Sequence, residues 1–360
     1  MSPARPVDPA LARGRAALSR DSGRYERLQR VDESDGWDIP EEAGVIRTEV
    51  TEEVPRSVIN YVRSPDLPFD RTLNPYRGCE HGCIYCFARP THAWLGLSPG
   101  LDFETRLVAR PAAPQVLARE LRVKGYSVAP LAIGTNTDPY QPVERDRDIM
   151  RACLEVLREF RHPVAVVTKG ALIERDIDIL SDMAAQGLVR VGISVTTLDE
   201  KLSRRMEPRA PGPKRRLATI RRLREAGVPV RVMASPMIPT LTDPELESIL
   251  TAGAEAGATS ASWIMLRLPL EVAPLFQDWL ATHYPDRARR ILGHLRDMHG
   301  GEVYSATWFR RMRGEGPYAD LVGARFRRAA AALGLDRDQP PLRCDLFRVP
   351  PRVGDQLALF

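Results

Sequence analysis

Cysteine is scarce in this chain of 360 residues: there are five, and aromatic side chains make up only 6%. Five thiols in so long a chain cannot form the disulfide framework of a small secreted domain. No apolar run approaches the roughly 20 residues needed to cross a bilayer, and the opening Met1-Ser2-Pro3-Ala4-Arg5 lacks the apolar block of a secretory signal. Those absences predict a cytoplasmic protein with no membrane segment. No internal repeat or low-complexity block is evident. The 43% hydrophobic and 28% charged residues suit one large α/β domain with appendages better than several small domains.

The formal net charge of +5 is modest, but its distribution is uneven. Between Lys201 and Arg224 there are ten basic side chains (Lys201, Arg204, Arg205, Arg209, Lys214, Arg215, Arg216, Arg221, Arg222 and Arg224) against one acid, Glu207. Two readings fit such a run: a solvated helix face, or a phosphate-binding surface for nucleic acid.

Residues 1–60 are polar and lack sustained periodicity, so they read as a flexible or loosely packed extension, with the folded core starting near Pro65 and running to about residue 300. Apolar β-branched runs then alternate with amphipathic stretches. Leu131–Ile133, Val164–Thr168, Val189–Val195 and Val228–Ala234 read as strands; 144–160, 174–186, 214–226 and 243–256 read as helices. Repeated βα units with right-handed crossovers predict parallel strands closing into a full or partial (β/α) TIM-like barrel, with function at the C-terminal strand ends. From about residue 270 the pattern turns helical and basic, giving a helical appendage over 301–350, and 335–360 is rich in Pro and Arg.

Three of the five cysteines fall within eight positions, in Arg77-Gly78-Cys79-Glu80-His81-Gly82-Cys83-Ile84-Tyr85-Cys86-Phe87. Thiols separated by three and then two residues, on a loop opened by Gly78 and Gly82, can turn toward one centre. An electron-transfer cluster and a structural zinc site each take four ligands, whereas three thiolates leave one iron of a cluster open to a substrate or cofactor. Zinc would recruit His81 or His92, neither of which keeps the paired spacing of a zinc module. Cys153 and Cys344 read as ordinary thiols, although Arg-rich surroundings could lower the pKa of Cys344.

The Cys-x3-Cys-x2-Cys spacing with Tyr85 before the last cysteine is the signature of the radical S-adenosylmethionine (SAM) superfamily. The surrounding stretch, about 65–300, resembles the branch related to spore photoproduct lyase, the DNA repair photolyase-like proteins. The resemblance implies a partial barrel of the radical SAM type and a [4Fe–4S] cluster on Cys79, Cys83 and Cys86. It further implies SAM chelated at the open iron, and a 5′-deoxyadenosyl radical that abstracts hydrogen from a substrate. An electron donor such as flavodoxin or ferredoxin follows from the same comparison. So do SAM contacts at the strand ends: Thr135 and Asn136 for the amino group, Lys169 and Ser194 for the carboxylate, with Arg209 a further candidate for the carboxylate or the substrate. A cation plus a hydroxyl is sensible chemistry for a carboxylate. Tyr85 and Phe87 are placed to flank the adenine or to shield the cluster, and His81 and Arg89 to tune it or cap its loop. A repair reaction of this kind also needs a hydrogen donor; Tyr76, Tyr140 and Cys153 are present, and nothing singles one out. Taken one by one, Thr135, Asn136 and Ser194 also read as turn residues satisfying backbone groups.

The last residues, Gln356-Leu357-Ala358-Leu359-Phe360, follow a Pro350-Pro351 break. They resemble the Gln-Leu-x-Leu-Phe peptide with which bacterial replication and repair proteins dock into the DNA sliding clamp, Gln356 as hydrogen-bonded anchor and Leu357, Leu359 and Phe360 as pocket fillers. The alternative is a tail folded back onto an apolar patch. Taken together, these readings predict a radical SAM enzyme, lyase-like, acting on nucleic acid in DNA base repair or modification. The alternatives are radical SAM chemistry on RNA, protein or a small molecule, and a non-catalytic iron–sulfur protein that binds DNA or the clamp.

Overall fold

The computed structural model describes residues 12–26, 46–337 and 339–351. The chain begins with short strands β1 (Glu49–Glu52), β2 (Ile59–Tyr61), β3 (Arg71–Leu73) and β4 (Tyr76–Arg77), then α1 (Asp102–Thr105), β5 (Arg106–Ala109) and α2 (Ala113–Leu121). A regular alternation follows: β6 (Leu131–Ile133), α3 (Ile149–Glu159), β7 (Val164–Thr168), α4 (Ile177–Ala185), β8 (Val189–Ser194), α5 (Glu200–Met206), α6 (Pro213–Glu225), β9 (Val230–Met237), α7 (Leu246–Glu255) and β10 (Ser260–Met265). Helices α8 (Val272–His283), α9 (Pro285–Met298) and α10 (Pro317–Ala332) complete it.

The main sheet runs β10-β9-β8-β7-β6-β3-β2, parallel throughout except for the antiparallel β2–β3 pair. This is the open (β/α) barrel expected from the alternation. One face of its central strands is fully buried, at Val164, Val166, Val189, Val191, Val230 and Val232, while Ala165, Val167, Arg190, Arg231 and Met233 on the other are half-buried. Gly134, just past β6, has φ of 86°, and a Cβ there would lie 1.8 Å from the Val167 carbonyl oxygen. Only glycine permits that turn into the barrel mouth.

Strand β10 escaped the sequence reading because Ser260-Ala261-Ser262 dilutes its apolar signal. An edge strand tolerates this, since one side faces loops instead of sheet. Those loops satisfy its backbone: Ala261 N–H donates to Leu335 O (3.1 Å) and Met265 N–H to Met312 O (2.8 Å). The same 309–312 stretch reaches the other edge of the sheet, where Arg311 clamps Asp66 in the β2–β3 connection at 2.6 and 2.7 Å. The seam of the partial barrel is therefore tied by side chains instead of a further strand. Within the appendage expected to be helical over 301–350, the helix is α10 alone.

One further expectation is corrected. Parts of the stretch read as a loose extension are packed: Ala12 and Ala17 are buried, Arg15 donates to Glu104 O, and β1 and β2 join the sheets. Ordered structure therefore begins ahead of Pro65. The Pro- and Arg-rich segment from 339 to 351 is a strap across the N-terminal strand ends. Arg343 N–H bonds Gly187 O, Arg348 N–H bonds Phe160 O, and Phe347 packs against Phe160, His162 and Tyr126. Among the described residues no helix is long and apolar enough to cross a membrane.

Candidate active site

The cysteines sit where β4 delivers the chain to the C-terminal mouth of the barrel. Gly78 and Gly82 adopt φ of 76° and 66°, and a Cβ on Gly82 would lie 2.6 Å from Glu104 Oε2, so the loop is wrapped tightly on a carboxylate. That carboxylate is fully buried. It accepts the backbone N–H groups of Ala16 and Ala17 (3.0 Å each) and pairs with Arg89 at 2.6 Å. Arg89, equally buried, spends its remaining donors on Cys83 O (3.0 Å), Gly82 O (3.2 Å) and Gly100 O (2.8 Å). Arg89 is thus the internal cap of the cysteine loop; a guanidinium so saturated with acceptors braces backbone and leaves no donor for sulfur.

Cys79 and Cys83 are buried and Cys86 is partly exposed. Burial pushes the Cys79 thiol well up, with Asp138 and the other two thiols adding to it. Burial also raises Cys83, which Lys169 pulls the other way. Cys79 and Cys83, buried beside Cys86, resist ionising alone, and a cationic metal centre among the three removes that cost by taking them as thiolates. Among the described residues no three His, Cys, Asp or Glu side chains converge tightly enough to hold a single ion. A cubane takes each thiolate to a different iron and asks for wider spacing. By donor chemistry, burial and loop shape, these residues fit an iron–sulfur cluster.

The strand ends converge on the same mouth. Tyr85 is buried, and its hydroxyl bonds Glu207 and lies 3.2 Å from Thr196 Oγ1. Glu207 also accepts from Thr196 (2.9 Å) and pairs with the buried Arg216, whose Nη1 donates to Ser194 O (3.1 Å). The ends of β8 and α5, together with α6, are thereby tied to the cysteine loop through one carboxylate. Lys169, at the end of β7, holds Nζ 5.8 Å from the Tyr85 ring centroid, and its side chain has no ion pair among the described residues. Thr135 and Asn136, half-buried past β6, carry no side-chain hydrogen bond there either. Ser194 is buried with its hydroxyl on Ser235 O (3.2 Å). Arg209 pairs with Glu80 on the cysteine loop at 3.0 Å. His81 Nδ1 faces Asp138 Oδ2 at 3.3 Å. Burial raises the Asp138 carboxyl, but His81, Thr168 and the Lys169 N–H more than offset it, so Asp138 stays ionised.

A family model described as the Radical SAM superfamily matches residues 73–252, the stretch from β3 through α7. The chain belongs to the radical SAM superfamily. Radical SAM proteins use a [4Fe–4S] cluster and SAM, and the mouth just described is where the barrel would receive both. The chain is 36% identical over 324 residues to the uncharacterized protein Rv2578c of Mycobacterium tuberculosis, covering 89% of this chain and 92% of the relative. It is 25% identical over 228 residues to the uncharacterized protein MJ0683 of Methanocaldococcus jannaschii, covering 63% and 81%. Among solved structures it is similar to spore photoproduct lyase complexed with dinucleoside spore photoproduct, with a TM-score of 0.57 and 14% identity over 79% of each chain. The same enzyme with bound AdoMet and the dinucleoside gives a TM-score of 0.52 at 12% identity. These likenesses establish a common barrel.

Sequence reasoning missed Glu207, Thr196 and Arg216 as a unit. The signal was present: one acid in a run of ten bases has to be neutralised somewhere, and a lone carboxylate there points to a buried acceptor. Half of the basic run is spent at home. Lys214 pairs with Glu200, Arg215 and Arg222 with Glu174, Arg216 with Glu207 and Arg209 with Glu80. Tyr76 and Tyr140 are buried with their hydroxyls on Glu144 and Asp176, and Cys153 lies inside α3. Gln356, Leu357, Leu359 and Phe360 lie outside the described residues.

Proposed function

We propose that this chain is a radical SAM enzyme of cytoplasmic nucleic acid, lyase-like, that repairs or modifies a DNA base. The observation that carries the reading is the convergence of Cys79, Cys83, Cys86 and an unpaired Lys169 at the C-terminal mouth of a parallel barrel. Cys79, Cys83 and Cys86 hold the cluster. When bound, the cluster and SAM supply a 5′-deoxyadenosyl radical, with the electron coming from a flavodoxin- or ferredoxin-type donor. Lys169 binds the SAM carboxylate, helped by Ser194 once its hydroxyl turns from Ser235 O, while Thr135 and Asn136 take the amino group. Tyr85, held by Glu207 and Thr196, presents a fixed wall to the nucleoside end and keeps water from the radical. Arg209, tethered to Glu80, orders the loop beside them.

The nucleic-acid assignment is supported by the barrel shared with spore photoproduct lyase, solved with a dinucleoside lesion, and by Arg267, which stands over Phe87 of the cysteine loop without a carboxylate partner among the described residues. The C-terminal Gln-Leu-Ala-Leu-Phe is assigned to the sliding clamp. Its support is the match of Gln356, Leu357, Leu359 and Phe360 to the clamp-docking pattern after the Pro350-Pro351 break. The test is anaerobic reconstitution followed by reduction and incubation with SAM and DNA deuterated at candidate positions. Label appearing in 5′-deoxyadenosine supports the reading. Cleavage of SAM with no transfer from any DNA or RNA moves the substrate to protein or small molecule. Failure to cleave SAM at full iron loading leaves a non-catalytic iron–sulfur protein.

A further inference from the structure

Beyond the cysteine loop, the rim of the mouth pairs Phe87 with an arginine outside the contacts assigned to SAM. Phe87 follows Cys86 directly and is 41% exposed, an unusual position for a large ring beside buried thiols. Arg267, two residues past the end of β10, lays its guanidinium over that ring at 4.7 Å. Its only other described contact is Nη1 to Met312 Sδ at 3.7 Å, a poor acceptor, and its buried Nε has no hydrogen-bond partner. No carboxylate pairs with it among the described residues. Nearby, Arg313 lies over Trp263 of β10 at 5.9 Å, likewise without an ion pair. Arg122 and Arg205 are also stacked on rings without acids, but each donates to an oxygen, Pro350 O and the Tyr284 hydroxyl, whereas Arg267 has only the Met312 sulfur.

We propose that Arg267 and Phe87 form a substrate subsite for a single nucleic-acid strand, the guanidinium taking a phosphodiester and the exposed ring stacking an unpaired base. A guanidinium anchored over a ring still has N–H donors to spare, and a guanidinium is the side chain that grips phosphate most readily. Every base offers a π-face, so the ring confers affinity without sequence preference. The base beside the gripped phosphate is thereby led toward the mouth between Phe87 and Lys169, where the hydrogen is taken. This subsite rests on the nucleic-acid reading above and names how that substrate is held.

The experiment uses the reconstituted full chain and a fluorescein-labelled single-stranded oligodeoxynucleotide of mixed sequence, with anisotropy read across a NaCl series. Arg267→Ala is expected to weaken binding on the order of tenfold and to reduce the salt slope by about 0.7, the loss of one phosphate contact on a single strand. Phe87→Leu weakens binding without changing the slope. Arg158→Ala, on the opposite face, removes the same charge and leaves affinity at the parent level. Iron content and melting temperature confirm folding, and Arg267→Gln reads the same loss of charge should Arg267→Ala not fold. If the parent binds and Arg267→Ala behaves like Arg158→Ala, the subsite is wrong while the nucleic-acid reading stands. If Phe87→Leu loses SAM instead of DNA, the ring belongs to the adenine and the subsite falls. If the parent binds no nucleic acid, both readings fall together.

Discussion

Replacing Lys169 by Ala removes a cation that the fold leaves unmatched. Lys169 is half-buried at the end of β7, stands over Tyr85 and acts electrostatically on Cys83. Two unit charges 4 Å apart attract by about 4 kcal/mol at an effective dielectric of 20, before the cost of stripping water from both. What remains for a charge-assisted contact is about 1.5–3 kcal/mol. The dissociation constant for SAM should therefore rise by roughly ten- to a hundredfold. Calorimetric titration of SAM into the anaerobically reconstituted variant measures this directly, and repetition at two salt concentrations separates a shielded contact from a surface one. A shielded contact changes little, because screening acts chiefly on exposed charges. A Lys169→Ala protein with full iron content that binds SAM as tightly as the parent would refute the reasoning and return Lys169 to a strand-end role.

Changing Cys79, Cys83 or Cys86 to Ala should abolish cluster assembly or SAM cleavage, read by iron analysis and spectroscopy, whereas Cys153→Ala should keep both. Glu104→Ala leaves the buried Arg89 without its partner and should cost about 3–5 kcal/mol, seen as a lowered denaturation midpoint together with lost iron. Burial holds His162 down to about 4 from 6.5, against the hydrogen bond its ring donates to Pro163 O, which raises it. The unfolded chain therefore binds a proton that the folded chain refuses, so stability is full above pH 6.5 and falls as pH drops toward 4; denaturation of His162→Asn across that window should show a flatter slope. Deleting residues 356–360 should end sliding-clamp association in a titration while SAM cleavage continues. A deletion that lowers thermal stability and an isolated peptide that ignores the clamp would make the tail a structural strap.

The cysteine spacing, the glycines beside it and the alternation of β-branched runs with helices were legible in the sequence because they are local. Thiol separation along a loop, φ above zero at Gly78 and strand periodicity all depend on a few neighbouring residues. From these came the barrel, the place of the cysteines at its mouth and the positions of Lys169, Ser194, Thr135 and Asn136 at strand ends. What the sequence could not supply were partners far apart in the chain. Glu104 meets Arg89 and Ala17 across many residues; Arg216 turns inward to Glu207 while its neighbours Arg215 and Arg222 are taken by Glu174. A run of ten bases reads as a charged surface until the fold decides which of them are neutralised. Arg267 shows the converse: isolated in the sequence, it is set over Phe87 because β10 and the cysteine loop end on the same rim. Charge pairing is a property of distance in space, and only closing the barrel fixes those distances.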